Sequence, residues 1–98
     1  MKEEIANKIK EKLAYVQDFK HGVLFKIDDE ALFIDGKQTP PEIVFEEREA
    51  DTTLSCSKEV LTKILEGTQD PNIAFMTGKL KITGSMGVAM KLNALLED

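Results

Sequence analysis

The stretch MTGKLKITGSMGVAMKL, Met76–Leu92, carries the reading from which the fold follows. Its first half alternates: Leu80 and Ile82 point one way and Lys79 and Lys81 the other, as in a strand with one buried face. Gly84 breaks that strand, and Ser85 stands where an N-cap is wanted for a helix over 86–96. At 100° per residue, Met86, Met90 and Ala94 occupy one flank of that helix, and Val88, Ala89, Leu92, Leu95 and Leu96 cover much of the opposite side. Lys91 and Asn93 are its polar side chains before Glu97. A surface helix ordinarily has one apolar stripe, so this one calls for cover on nearly all sides. The cover is the protein's own core, another protein, or an apolar molecule that is not protein.

Working outward, Asp70-Pro71 starts a short helix through PNIAFMT, with cap and first-turn proline in the favoured order, and Gly78 ends it. Ser57 caps a preceding helix that carries Val60, Leu61, Ile64 and Leu65 and stops at Gly67. Before it, DTTLSC alternates Thr52, Leu54 and Cys56 against Thr53 and Ser55. Three more strands are expected at about 22–28, 31–35 and 42–47. Val23, Phe25 and Ile27 share a face of the first, and Asp28-Asp29-Glu30 marks the turn that follows it. ALFID is apolar on both faces, which implies cover on both sides of the sheet. Residues 2–18 form an amphipathic helix with Ile5, Ile9, Leu13 and Val16 on one stripe. The order is α-β-β-β-β-α-α-β-α, an α+β fold with a single five-stranded mixed, mainly antiparallel sheet covered by helices. The two helices between the fourth and fifth strands suggest a crossover, with those strands paired in parallel.

The chain has 98 residues, so residues 1–98 are read as one domain. A net charge of −5 argues against a nucleic-acid partner, and Lys79, Lys81 and Lys91 read as a solvated face. Cys56 has no partner for a disulfide and sits in an alternating run, as a small buried hydrophobe does. MKEEIANKIKEKL has no apolar core of a signal peptide, and no apolar run reaches the ~20 residues of a membrane span. The C-terminal LLED is not a peroxisomal address, and a cytoplasmic location is expected.

Catalytic chemistry is not legible. His21 has no neighbouring ligand set and reads as structural, so no metal or cofactor is expected. The glycines at 78, 84 and 87 have the wrong spacing for a phosphate loop. Ser55 and Ser57 lack a nucleophile elbow. Asp28/Asp29 and Glu46/Glu47 are adjacent, so strand geometry would point each pair to opposite faces.

NIAFMTGKLKITGSMGVAMKL resembles the signature of the sterol carrier protein (non-specific lipid-transfer protein) family. Ala74, Phe75, Gly78, Lys79, Leu80, Lys81, Ile82, Gly84, Met86, Gly87, Ala89, Met90, Lys91 and Leu92 match it. The strand, serine cap and helix of DTTLSCSKEVLTKILEG match more loosely. Members often carry Asp or Asn at the position of Ser85, an equivalent cap. They often carry Gln near Asn93, and the shorter amide argues against a head-group contact there. The resemblance implies a five-stranded sheet whose helices enclose an apolar tunnel for a fatty acyl chain, acyl-CoA or sterol-like ligand. With no peroxisomal address, acyl chains are a better expectation than sterol. The walls would come from Leu54, Leu61, Leu65, Ile73, Phe75, Met76, Ile82, Met86, Ala89 and Met90. The methionines suit such a wall because their flexible thioethers adapt to differently shaped apolar partners.

Magnitudes bound the behaviour of such a site. Burying ~12 methylenes at ~0.8 kcal/mol each gives roughly 10 kcal/mol gross. Association takes back about 4 kcal/mol or more, which leaves micromolar binding. An empty dry cavity of ~300 Å³ would cost about 7 kcal/mol, so the pocket should seldom stand open. Expected function is therefore non-catalytic lipid carriage, with transient membrane contact and a homodimer as further possibilities. The rival is a dimerisation or partner-binding module that uses the apolar final helix.

Overall fold

The computed structural model describes residues 2–16 and 19–96. Helix α1, Lys2–Leu13, sinks Ile5, Ile9 and Leu13 into the core, with Glu3 and Glu4 at its start and Lys10 and Lys12 at its end, where each charge suits the helix dipole. It stops short of the expected residue 18: Val16 donates its N–H to the Leu13 carbonyl in a closing turn, and residues 17 and 18 lie outside the described residues. Strands β1 (Gly22–Ile27) and β2 (Glu30–Asp35) form an antiparallel hairpin in which Ile27 faces Glu30. Asp28 and Asp29 are therefore the turn, with Asp28 at φ 53°, a conformation that aspartate tolerates better than most residues. Then come β3 (Glu42–Val44), β4 (Thr52–Cys56), α2 (Lys58–Glu66), α3 (Pro71–Met76), β5 (Leu80–Gly84) and α4 (Met86–Leu96). The element order is the expected one.

The sheet order is β3-β2-β1-β4-β5, with β1 and β4 parallel and the other pairs antiparallel. One expectation is thereby corrected: β4 and β5 run antiparallel, with Leu80 opposite Cys56. A single helix would return the chain to the end where β4 began. Two in succession bring it back to where β4 stopped. The parallel pair is instead β1–β4, joined through the β2–β3 meander.

That strand order also explains why β3 ends at Val44 rather than 47. The chain must cross β2 and β1 to reach β4, and residues 45–51 make the crossing over the face opposite the helices. Arg48 lies over the Phe33 ring at 5.8 Å, and Lys26 of β1 meets Glu47 at 3.6 Å. Leu24 and its cross-strand partner Phe33 are consequently buried. The second cover demanded by ALFID is this strap. Gly22 is part of the fit, because a Cβ there would stand 2.8 Å from the Phe33 ring.

On the other face, α1, α2, α3 and α4 enclose one core with Val23, Phe25, Ile27, Leu32, Ile34, Leu54 and Leu80 from the sheet. The connecting helices begin where local chemistry says they should. Ser57 Oγ accepts the Val60 N–H at 3.1 Å, Asp70 accepts those of Asn72 and Ile73, and Ser85 Oγ accepts that of Val88 at 3.2 Å. Gly67 ends α2 at φ 83°.

Candidate functional site

Helix α4 packs on α1, β4 and β5, while α3 packs on β5, the edge strand. Val88, Ala89, Leu92, Asn93 and Leu96 form the buried face of α4. Met86 and Ala94 remain exposed and Met90 half-buried, so the flank spaced by four residues along α4 is open. This is narrower burial than the expected cover on nearly all sides. Helix α3 is held by Pro71 and Ala74, both buried, and turns Ile73 and Met76 outward, 54% and 81% exposed.

The ten candidate wall residues thus divide. Leu54, Leu61, Leu65 and Ala89 are buried in the core. Ile82, the cross-strand partner of Leu54, and Met90 are half-buried. Ile73, Phe75, Met76 and Met86 are exposed. Clefts of about 420, 440 and 470 Å³ are among those lined by the described residues. The first lies on the strap side around Phe33, Asp35, Arg48 and Asp51 and touches none of the ten. The second touches Leu65 and the third Ile73. The ten residues are therefore divided between the core and an exposed or half-buried apolar rim on α3, β5 and α4.

One buried group is out of keeping with that interior. Asn93 is 4% exposed, and its Nδ2 has no hydrogen-bond partner among the described residues. An unsatisfied buried amide donor costs about 1–3 kcal/mol. Only its polar type hides it in the sequence, since on the wheel Asn93 falls between Ala89 and Met86. Asn93→Leu is expected to stabilise the protein by about 1 kcal/mol or more, raising the melting temperature by roughly 4–8 °C. A thermal melt that falls instead would show that the amide has a partner worth keeping.

Several polar groups elsewhere have structural roles. His21 Nδ1 lies 3.2 Å from Asp51 Oδ2, and its ring meets Phe19 edge-on. The Gly22 N–H, donated to Asp51 Oδ2 at 3.1 Å, is the main reason that the Asp51 carboxyl titrates below its ordinary value, with the His21 contact second. Burial, reinforced by the nearby Asp28 charge, pushes the Cys56 thiol up to about 12, so it stays protonated and unreactive at neutral pH. Lys91, on the polar side of α4, sits 5.5 Å over the buried Phe19 ring. Among the described residues no group of three or more His, Cys, Asp or Glu side chains is placed to hold a metal, and no helix is long and apolar enough to cross a membrane.

The sequence profile of the SCP-2 sterol transfer family matches residues 3–97. The chain belongs to that family. Sterol carrier protein 2 of the rabbit, Oryctolagus cuniculus, is 45% identical over 49 residues, which is 50% of this chain and 9% of the rabbit protein. The similarity to that much longer relative is thus confined to a small part of it. Among solved structures, the sterol carrier protein domain 2 of Helicoverpa armigera superposes with a TM-score of 0.68 at 28% identity, covering 98% of this chain and 76% of that one. Sterol Carrier Protein-2 of Aedes aegypti superposes with a TM-score of 0.80 at 17% identity, covering 95% and 91%. The SCP-2 fold is therefore present here: one five-stranded mixed sheet with helices in the order α-β-β-β-β-α-α-β-α.

Proposed function

We propose that this protein binds and carries apolar lipids, fatty acyl chains or acyl-CoA above sterols, without catalysing a reaction on them. The carrying observation is the open apolar flank of α4, Met86 and Met90, on the same side of the sheet as the exposed Ile73 and Met76 of α3, with half-buried Ile82 on the edge strand that both helices pack against. Family membership supports the reading. So does the Aedes aegypti fold-mate, which was solved as a complex with the C16 fatty acid palmitate.

The ligand would enter by displacing α3 and α4 from β5. Leu54, Leu61, Leu65 and Ala89 would form the floor and Ile73, Phe75, Met76, Ile82, Met86 and Met90 the walls. Acyl methylenes would then take over contacts that the side chains make with one another when the site is closed. That exchange keeps apolar surface out of water in both states, so no dry cavity has to be maintained. Three groups capable of chemistry are otherwise engaged: Ser57 and Ser85 cap helices, and the Cys56 thiol is protonated.

Native mass spectrometry of protein purified without detergent, followed by organic extraction, tests this. Heterogeneous adducts at fatty-acid or phospholipid masses are expected. A clean ligand-free monomer that also takes up no added acyl chain would sink the proposal. A clean ligand-free dimer would favour the rival use of the same flank, as an interface between two copies.

A further inference from the structure

Hydrogen bonds divide the chain between α2 and β5 into separate units. The Gly67 N–H donates to the Ile64 carbonyl, and those of Thr68 and Gln69 to the Lys63 carbonyl, so these three residues belong to the end of α2. From Asp70 onward the partners lie inside the next unit. The Asp70 side chain accepts the Asn72 and Ile73 N–H groups, and its carbonyl accepts that of Ala74. Thr77 donates both its N–H and its hydroxyl to the Ile73 carbonyl, each at 2.9 Å. The Gly78 N–H goes to the Phe75 carbonyl and the Lys79 N–H to that of Ala74. Among the described residues, the one hydrogen bond that leaves residues 70–79 runs from the Gln69 side chain to the adjoining Asp70 carbonyl.

Packing shows the same independence. Helix α3 is seated by two compact side chains, Pro71 and Ala74, and packs on the edge strand β5. Helix α4 is tied down more firmly. The Ser85 N–H donates to the Asp51 carbonyl at 2.9 Å, and five residues form the buried face of α4 against α1, β4 and β5. At the join between α2 and α3 the surface is already parted. A cleft of about 470 Å³ runs along it, lined by Ile64, Gly67, Thr68, Gln69, Asp70 and Ile73. Ile64 is a core residue, so the cleft reaches down to the core, and Ile73 stands exposed at its lip.

We propose that residues 70–79 are a lid that swings off β5 about hinges at Gln69–Asp70 and Lys79–Leu80, opening that cleft to an acyl chain while α4 stays seated. The purpose of the lid rests on the lipid-carrier reading. The unit keeps its own hydrogen bonds when it moves, so opening gives up little beyond the apolar contact of Pro71 and Ala74 with the strand. Hinges of a few residues at the ends of an element are how covered sites commonly admit a ligand. Helix α3 therefore leads, and α4 yields only as the chain lies down against Met86 and Met90.

Thiol labelling tests the motion without any lipid. Ala74→Cys and Ala89→Cys, each in a Cys56→Ala background, place matched thiols at fully buried positions on α3 and α4. The α3 thiol should react with a disulfide reagent about a hundredfold faster than the α4 thiol, through a local opening that low denaturant does not accelerate. Locking then tests what the motion admits, and it uses exposed positions that do not depend on the buried substitutions. Thr68→Cys with Asn72→Cys, joined across the first hinge by a cleavable bismaleimide, should slow uptake and release of a fluorescent fatty acid about tenfold or more. Equilibrium affinity should stay within about threefold, and cleaving the linker should restore the rates. The same linker between Glu59→Cys and Lys63→Cys, within α2, should leave the rates as they were. Equal labelling of the two buried thiols overturns the lid. Exchange that the lock leaves unchanged overturns it as the entry route, with lipid carriage still standing. Fast labelling on α3 in a protein that takes up no fatty acid removes the carrier reading and the entry route together.

Discussion

Gly84→Ala is expected to lower the melting temperature by about 12–24 °C, equivalent to roughly 3 kcal/mol in a domain of this size. Two costs combine. Gly84 has φ 96°, outside the conformations that an L side chain adopts without strain, which contributes about 1–2 kcal/mol. The added Cβ would also stand 2.7 Å from the Asp51 carbonyl oxygen and 3.2 Å from Thr52 Cα, both backbone atoms. That carbonyl accepts the Ser85 N–H at 2.9 Å, so pushing it away shifts the residue that caps α4. Gly78→Ala provides the comparison, because Gly78 has φ 80° with nothing within 4 Å of the would-be Cβ. Thermal melts of the two variants separate conformational strain from close approach. Equal losses would show that the approach to Asp51 contributes nothing.

The two glycines look alike in the sequence, and so does Gly87, where a Cβ would meet only Ser85 Oγ at 3.9 Å. What distinguishes them is the position of β4, some thirty residues away in the chain. The same division between local and distant causes runs through the fold. Caps at Ser57, Asp70-Pro71 and Ser85 were legible because a hydroxyl or carboxylate and the N–H that it accepts are two or three residues apart. The direction of β5 was not legible, because it depends on how α2 and α3 together reverse the chain. Alternation in ALFID showed that Phe33 needed cover, but only the strand order makes residues 45–51 the strap that supplies it. For the site, the apolar character of α4 and the signature around Gly78–Leu92 pointed to the segment that carries the open flank of α4. Exposure within it was illegible: α3 is too short for its periodicity to separate buried Ala74 from exposed Ile73 and Met76. Asn93 was misleading in the opposite sense, a polar residue spent in the interior.

Met90→Asp separates a ligand wall from an ordinary core position. Met90 is half-buried on the open flank of α4, so an aspartate there in the ligand-free protein can turn its carboxylate to water. The stability lost should be about 1 kcal/mol or less, the apolar area given up by a side chain already partly wet. With an acyl chain bound, the same carboxylate would face methylenes and lose its hydration. Desolvating it costs several kcal/mol, or neutralises it by raising its pKa. Acyl-chain affinity is therefore expected to fall about a hundredfold or more, while the melting temperature falls by about 8 °C or less. Titration with a fluorescent fatty acid, alongside a thermal melt, reads both quantities from one preparation. The contrast with Leu92→Ala sharpens the result. Leu92 is fully buried between α4 and the rest of the core, so its truncation should cost about 2–5 kcal/mol of stability whether or not a ligand ever enters. If Met90→Asp behaves like that variant, losing stability in proportion to affinity, then α4 is a structural helix and its methionines are core. If affinity collapses while stability holds, the flank is where the acyl chain lies.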